Sequence, residues 1–296
     1  MSKKSVYEIV TENLIGKLKE GTAPWAKPWA TPEYEASVPT NLVSKKPYRG
    51  INQILTWATG HTNPYWVTFK QAKSLGGSVR KGAKSTPVIF WSPLHLKNGK
   101  RVATKELADT TKFILRYYNV FNLDQCEGID VEKVKDLPSE EFDPNTEAEA
   151  VLENWETRCE IKHGGNRAYY VPSEDYIQLP PREAFQSPGE YYSTAFHEAI
   201  HATGHGSRLK RSSLTGTAKF GSETYSKEEL VAEFGAAFLC ATTGIKNTID
   251  NSAAYLNSWI KRLESDPKLA LEAASAAQKA ADHVLNKKAP IGAKDK

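Results

Sequence analysis

The sequence predicts an α+β protein of two domains, and three observations predict it. Charge is segregated along the 296 residues: positions 1–125 carry 19 Lys and Arg against 8 Asp and Glu, positions 126–160 carry 3 against 12, and the remainder carries 17 against 15. Helical and strand-like patterns alternate in the basic part. A histidine-bearing helix follows two short strands in the last part. The predicted divisions are a basic domain over 1–127, an acidic linker over 128–147, a second domain over 148–288 and a frayed tail over 289–296.

The composition is that of a folded protein without membrane segments. Hydrophobic residues make up 40% of the chain and aromatic residues 10%, which are globular values. The three cysteines, Cys126, Cys159 and Cys240, form no C-x-x-C pair, so neither a disulfide framework nor a cysteine-ligated zinc site is indicated. No apolar run has the length of a membrane span or the character of a leader. We therefore expect a cytoplasmic protein with no membrane partner.

The N-terminal elements follow from capping residues and apolar spacing. Ser5 and Glu8 have the spacing of a capping box, so a helix is predicted from there to Gly21. The predicted elements after it are a short helix through Leu55 and Trp57, a strand turning into a helix over 65–72, a basic turn over 79–85, a strand over 87–91, a polar hairpin tip over 101–112 and a central strand over 113–122.

The C-terminal elements are predicted in the same way. Ser187, Pro188 and Glu190 occupy the N-cap, N1 and N3 positions of a capped helix. Gly204 is expected to end that helix in the left-handed conformation. The other predicted elements are a helix over 148–160, strands over 168–172 and 175–180, a helix over 226–239 and two Ala-rich helices over 252–263 and 267–285.

The motif H-E-x-x-H on the helix after Ser187 predicts a metal site. His197 and His201 are four residues apart, so both imidazoles lie on one helix face and can bind one ion. Glu198 follows the first histidine, where it can take a proton from an attacking water molecule. The alternative is an ordinary amphipathic helix that happens to carry two histidines.

A third ligand is predicted on the helix over 226–239. Glu229 and Glu233 are four residues apart on an otherwise apolar helix, and two buried carboxylates need a compensating cation. We predict Glu229 as the third ligand and Glu233 as the group that orients a ligand histidine, as in gluzincins. The reverse assignment stays open. So do two simpler roles, in which Glu229 is the N3 residue of a capping box begun at Ser226 and Glu233 lies on a solvated face.

A third histidine in the metzincin arrangement is excluded. That arrangement needs a histidine six residues after the second ligand, and Ser207 occupies this position. His205 is therefore interpreted as a cation near the helix C-terminus. Zn²⁺ is the expected ion, although two histidines and a glutamate also accept Mn²⁺ or another divalent ion.

The basic domain predicts a polyanionic partner. Five of the seven tryptophans lie in the first 91 residues, interleaved with Lys and Arg, and aromatic faces with cations suit single-stranded nucleic acid. Trp57, Phe90 and Trp91 are assigned to the core because apolar residues flank them. The residues predicted to contact DNA are Trp25, Lys27, Trp29, Lys46, Tyr48, Arg49, Trp66, Lys70, Arg80, Lys81 and Lys84. No motif for sequence-specific reading of duplex DNA is found.

With these motifs assembled, the chain resembles the ArdC-type antirestriction proteins of conjugative plasmids. The segments that carry the resemblance are 24–29, 46–52, 79–82, 118–122, 196–209 and 228–233. The resemblance implies a single-stranded-DNA-binding domain, shared with TraC-type primases, joined to a zincin-like metallopeptidase domain. It further implies protection of incoming plasmid DNA from restriction in the cytoplasm of a recipient bacterium.

Two other functions stay open. In the first, the protein is a pure binding protein: the metal is structural, and protection comes only from coating the DNA. In the other the protein is a peptidase for an unidentified host protein, and the basic domain only localises it. Tyr225 and His205 are candidates for stabilising an oxyanion.

Overall fold

The computed structural model describes residues 4–25, 38–129, 144–215, 223–245 and 253–287. Its N-terminal part contains, in chain order, α1 (Val6–Lys19), β1 (Thr40–Asn41), α2 (Ile51–Trp57), β2 (Tyr65–Val67), α3 (Phe69–Ser74), β3 (Ser78–Val79), β4 (Thr86–Lys97), β5 (Lys100–Arg101), β6 (Thr110–Asn122) and β7 (Cys126–Glu127). Its C-terminal part contains α4 (Pro144–Asn154), β8 (Glu160–His163), β9 (Tyr169–Val171), β10 (Tyr176–Leu179), α5 (Pro188–Thr203), α6 (Ser212–Thr215), α7 (Glu223–Thr243), α8 (Ala253–Ser265) and α9 (Leu269–Val284).

A five-stranded sheet in the order β1-β2-β6-β4-β5 organises the N-terminal part. As predicted, β6 is its central strand. β6 pairs with β4 in antiparallel register from Thr86↔Val120 to Leu96↔Thr110, but with β2 only at Trp66↔Asn122 and Val67↔Phe121. Most of the β4–β6 pair therefore extends beyond the other strands as a two-stranded ribbon.

The predicted helix starts of the N-terminal part are confirmed. The Ser5 hydroxyl accepts a hydrogen bond from the Glu8 amide and the Glu8 carboxylate accepts one from the Ser5 amide, which completes the capping box. Thr68 and Gln71 form the same arrangement at α3. These contacts satisfy backbone donors that the first helical turn leaves without partners.

A three-stranded sheet and a helical layer form the C-terminal part. The sheet has the order β8-β10-β9, with β10 parallel to β8 and antiparallel to β9. The helix α5 packs mainly on α7, and α7 in turn packs on α9. The strand β9 lies at the sheet edge on the side of α5. Among the described residues, no helix combines the length and apolarity that crossing a bilayer requires.

The two parts share one hydrophobic core. The cluster that contains Phe196 and Phe234 of α5 and α7 also contains Leu14 of α1 and Ile54 of α2. α1 packs on α8, and the Thr11 hydroxyl donates a hydrogen bond to the Pro267 carbonyl at 2.9 Å. The N-terminal helices are thus packed directly against the helical layer that carries the histidines.

Two local predictions for the C-terminal part are wrong. The helix predicted over 148–160 instead spans Pro144–Asn154, and Trp155 after it is buried. The chain then forms β8, because pairing with β10 overrides the local helical preference. Gly204 ends α5 with φ −77°, which is not left-handed. A Cβ added at this position would lie 2.8 Å from a guanidinium nitrogen of Arg211, so any larger residue would require Arg211 to shift.

Candidate functional site

The helix α5 presents both histidines of the H-E-x-x-H motif towards α7. The Ser187 hydroxyl accepts a hydrogen bond from the Glu190 amide at 3.2 Å, and Pro188 is the first helical residue, as predicted. The Glu190 carboxylate, however, accepts from the Gln186 amide and does not close the predicted box. At Gly235 of α7 an added Cβ would lie 2.7 Å from Ile200, so a glycine allows the two helices to approach closely.

The structure brings His197, His201 and Glu229 together. The two Nε2 atoms are 3.1 Å apart, His201 Nε2 is 3.5 Å from Glu229 Oε1, and His197 Nε2 is 3.7 Å from Glu229 Oε2. A tetrahedral ion with ligand bonds of about 2.1 Å keeps its ligand atoms about 3.4 Å apart. The donor set and its spacing therefore fit a divalent metal with two histidines and one carboxylate.

The electrostatics of the cluster also favour a cation. Burial alone lowers the pKa of His197, but the carboxylates of Glu229, Glu233 and Glu198 outweigh it and raise that pKa to about 9. An imidazole surrounded by three carboxylates binds a positive charge, whether a proton or a metal ion. Because α7 begins at Glu223, Ser226 lies inside the helix, and Glu229 is not the N3 residue of a capping box.

Glu228 orients His201, a role that the sequence analysis did not assign. Its carboxylate oxygen lies 3.3 Å from Nδ1 of His201. Burial raises the pKa of Glu228, but hydrogen bonds from His201 and Arg211 reverse this and lower it to about 2. An ionised carboxylate only accepts hydrogen bonds, so Nδ1 carries the proton and Nε2 presents its lone pair to the ligand cluster.

Arg211 compensates the buried charge of Glu228. Its guanidinium donates to both Glu228 oxygens, at 2.6 and 3.1 Å. It also donates to the Ile200 carbonyl and to the Thr203 hydroxyl, each at 2.6 Å, near the C-terminus of α5. In the sequence the pair consists of an acidic residue directly before the predicted third ligand and an arginine shortly after the metal helix, and neither position alone indicates the contact.

Glu233 lies on the other side of the cluster. It interacts with His197 and accepts a hydrogen bond from the Tyr255 phenol, and burial raises its pKa. It is therefore not on a solvated face. The ligand triad of the structure contains Glu229 and not Glu233, which favours the assignment chosen from the sequence over its reverse.

Trp25 connects the N-terminal part to this cluster. Its ring is 1% exposed and packs edge-on against Phe234 at 4.9 Å and Trp259 at 6.3 Å between ring centroids. Its Nε1 donates to the Tyr255 hydroxyl at 3.4 Å, and Tyr255 in turn contacts Glu233. A residue predicted to stack on DNA bases is thus a core residue beside the candidate metal centre.

A cleft of about 450 Å³ opens on the cluster. Glu198, which is 8% exposed, lines it together with both histidines and Glu229. The edge strand β9 forms the opposite wall through Tyr169 and Tyr170. His205 bonds Ser207 and lies near Asp175, and it does not line the cleft. The side chain of Tyr225 lies outside the described residues.

The predicted DNA contacts divide into exposed cations and buried aromatics. Lys46, Arg49, Lys70, Arg80, Lys81 and Lys84 are exposed, and Arg49 forms an ion pair with Asp282 of α9. Tyr48 and Trp66 are buried, like Trp25. All three predictions of aromatic stacking are therefore corrected, because a ring enclosed by protein cannot stack on a base. Lys27 and Trp29 lie outside the described residues.

The aromatic residues assigned to the core show the opposite error. Trp57 is buried as predicted, but Phe90 is 40% exposed and Trp91 is 57% exposed. Apolar neighbours in sequence indicated burial, yet both residues lie on the part of the ribbon that no third strand covers. The isolated position of this strand pair, which sequence does not reveal, decides their exposure.

The fold and the ligand cluster define a two-domain protein with a zincin-like metallopeptidase domain. Residues 146–276 match the family described as zincin-like metallopeptidase, and residues 4–121 match the N-terminal domain of anti-restriction factor ArdC. The structure superposes on the metal-free antirestriction protein ArdC of plasmid R388 with a TM-score of 0.75 at 34% identity, covering 97% of this chain and all of the other. The chain belongs to the ArdC family of antirestriction proteins.

Other relatives extend the comparison. The Mn(II)-bound structure of the R388 protein matches with a TM-score of 0.73 at 36% identity, over 96% of this chain and 98% of the other. Two Escherichia coli proteins named DNA primase TraC are each 39% identical over 96% of this chain. This chain spans only 20% and 27% of their lengths. A Sinorhizobium fredii protein, uncharacterized protein y4eC, is 33% identical, over 94% of this chain and 90% of its own.

Proposed function

We propose that the protein binds single-stranded DNA without sequence preference and protects incoming plasmid DNA from restriction in the cytoplasm of a recipient cell. The similarity to an antirestriction protein over almost the whole of both chains carries the proposal, because it includes the N-terminal domain as well as the metallopeptidase domain. Positions 1–125 carry 19 cationic residues against 8 acidic residues, and this positive charge supports a polyanionic partner.

The metal centre is proposed to consist of His197, His201 and Glu229, with Glu228 and Glu233 holding the two histidines in position. Zn²⁺ is the expected ion, and Mn²⁺, which the R388 relative binds in one structure, is the first alternative to test. When bound, such an ion supplies a Lewis acid that polarises a carbonyl group.

The proposed chemistry of this chain's residues is acid–base catalysis by Glu198. Its carboxylate lines the cleft beside the ligands, where it takes the proton of the attacking water and later returns it to the leaving amine. The outer edge of β9, which no described strand pairs with, lies along the same cleft and suits an extended peptide that would pair with it as an added strand. This cleft is the observation that favours a second candidate function, cleavage of a host protein.

The test is binding of a fluorescent oligonucleotide, single-stranded or duplex, across a salt series, with the wild type and Glu198→Gln. Preference for the single strand, falling steeply with salt and equal in both proteins, is the expected result. Absence of binding at moderate salt would reject DNA binding and leave the peptidase as the function.

Plasmid transfer into a restricting recipient separates the roles of the two domains. If protection depends on peptide cleavage, Glu198→Gln removes it while metal content is unchanged. If protection comes from DNA coating alone, the same variant protects like the wild type.

A further inference from the structure

The ribbon formed by β4 and β6 has an unusual surface for an antiparallel strand pair. Its register runs through eleven residue pairs, from Thr86↔Val120 to Leu96↔Thr110, which corresponds to a length of roughly 35 Å. Its inner end is packed on both faces, with Val88 in one core cluster and Ile89 in another. Beyond Ile89, large side chains are exposed along the ribbon.

Three exposed aromatic residues share one face of this ribbon. Trp91 is opposite Leu115, and Pro93 is opposite Phe113. Residues two apart on a strand point to the same side, so Phe113 and Tyr117 flank Leu115 on the face that carries Trp91. Trp91 is 57% exposed, Phe113 64% and Tyr117 41%. These three residues are called the aromatic row below.

The surroundings of the aromatic row are cationic. Residues 90–116 carry six exposed cations against two acidic residues, namely Lys97, Lys100, Arg101, Lys105, Lys112 and Arg116 against Glu106 and Asp109. Among the described residues, none of the six cations takes part in a salt bridge. The basic turn with Arg80, Lys81 and Lys84 leads directly into β4. By strand alternation, Lys97 and its partner Lys100 lie on the face of the aromatic row, whereas Lys112 and Arg116 lie on the opposite face. Positive charge is therefore present at both ends of the aromatic row and on the reverse side of the ribbon.

We propose that this ribbon is the surface that binds single-stranded DNA, with the aromatic row stacking on bases and the surrounding cations following the phosphates. The proposal rests on the proposed function and relocates the contact from Trp25, Tyr48 and Trp66, which are buried. Exposed aromatic rings bind unpaired bases of any sequence because every base has a flat face. A duplex hides those faces, so the surface discriminates against it.

The charge distribution favours nucleic acid over a protein partner. An exposed apolar patch alone commonly marks a protein interface. The cores of such interfaces, however, are depleted of charged residues, and lysine is depleted in particular. Three aromatic rings on one face, with cations at the basic turn, at the ribbon tip and on the reverse face, match a single-strand-binding surface in both chemistry and sign.

The experiment compares full-length variants in binding a fluorescent single strand of about 16 nucleotides. Trp91→Ala/Phe113→Ala removes two rings without changing charge, and Lys97→Gln/Lys100→Gln removes two charges from the same face without changing rings. Phe69→Ala is the matched control, because Phe69 is a similarly exposed aromatic residue (60%) on α3. Trp91→Phe keeps a ring, and thermal unfolding verifies that every variant is folded.

The expected losses differ in kind. Removal of each ring weakens binding on the order of tenfold and leaves the salt dependence unchanged. Removal of each cation lowers the slope of log affinity against log salt by about 0.7. Phe69→Ala binds like the wild type, and Trp91→Phe, which keeps a ring, loses less affinity than removal of the Trp91 ring does. The wild type binds an oligonucleotide with abasic positions more weakly than one with all its bases. With the abasic oligonucleotide, removal of the two rings lowers the affinity little further.

The outcomes separate this inference from the proposed function. If the wild type does not bind a single strand, DNA binding itself is refuted. If the wild type binds and the ring variant, correctly folded, binds equally well, only the ribbon is refuted. An equal loss in Phe69→Ala would also overturn the proposal, because the contact would then not be specific to the ribbon.

Discussion

Replacing Glu228 with Gln is expected to weaken metal binding and to destabilise the protein even without metal. Glu228 is 3% exposed and bonds Nδ1 of His201 and the guanidinium of Arg211. A neutral amide retains the shape but removes the negative charge to which both donors are bonded. In either orientation of the amide, its NH₂ group faces a donor, and two donors cannot form a hydrogen bond with each other. Both the orientation of the ligand and the compensation of the arginine are therefore lost.

The magnitude follows from two independent considerations. The pKa of Glu228 is lowered from 4.5 to about 2, which corresponds to a stabilisation of about 3 kcal/mol by its ionised form. Removing one partner of a buried ion pair typically costs about 3–5 kcal/mol. The two agree, and a loss of about 3 kcal/mol lowers the melting temperature of a chain of this size by roughly 6–12 °C. Loss of a partner that orients a ligand reduces metal affinity by roughly 10- to 100-fold.

Thermal unfolding of the chelator-treated protein measures the first effect, and competition with a chromophoric chelator measures the second. Glu229→Gln is the control for metal binding: it removes a proposed ligand but leaves the bonds between Glu228 and Arg211, so it abolishes metal binding without breaking that pair. If Glu228→Gln melts within 1 °C or so of the wild type and binds metal within about twofold, Glu228 does not orient His201.

Three further predictions concern other parts of the molecule. Added Zn²⁺ or Mn²⁺ at about 100 times its Kd should stabilise the wild type by about 2.7 kcal/mol but not Glu229→Gln; equal stabilisation of both proteins would exclude Glu229 as a ligand. Trp25→Ala should lower the free energy of unfolding, measured with urea, by about 3–5 kcal/mol because it opens a cavity in the shared core. Trp91→Ala should change it by less than about 0.5 kcal/mol, and equal losses in the two variants would contradict the assigned burial. Gly204→Ala should destabilise by about 1–3 kcal/mol because the added methyl group displaces Arg211, and an unchanged melting temperature would show that the arginine can move without cost.

Much of the candidate metal centre was predictable because its residues lie on two regular helices. The spacing of His197 and His201 fixes a common helix face, and the spacing of Glu229 and Glu233 does the same on α7. Which carboxylate completes the triad depends on the rotation of α7 relative to α5. That rotation is set by packing, including the close approach at Gly235, so local sequence leaves both assignments open.

Glu228 shows where sequence reasoning was incomplete. Its position next to Glu229 gave no sign that it faces His201, because adjacent residues on a helix point in different directions. The structure places it between α5 and the loop after that helix, where Arg211 also bonds the end of α5. The helix α7 meets there the end of α5 and the loop that follows it, and only this packing creates the pair.

The amino-acid sequence by itself determined the α+β class, the capped starts of α1 and α5, the central position of β6 and the identity of the histidine ligands proposed for a metal. These features depend on periodicity, capping and short-range spacing, which are local properties of the chain. The tertiary structure decided which aromatic residues are exposed, which acidic residue faces which histidine, and why Gly204 is a glycine. The physical reason is that burial and pairing depend on what other segments bring to the same place. Trp25 is buried because α7 and α8 enclose it, whereas Trp91 is exposed because it lies where, among the described strands, only β4 and β6 pair.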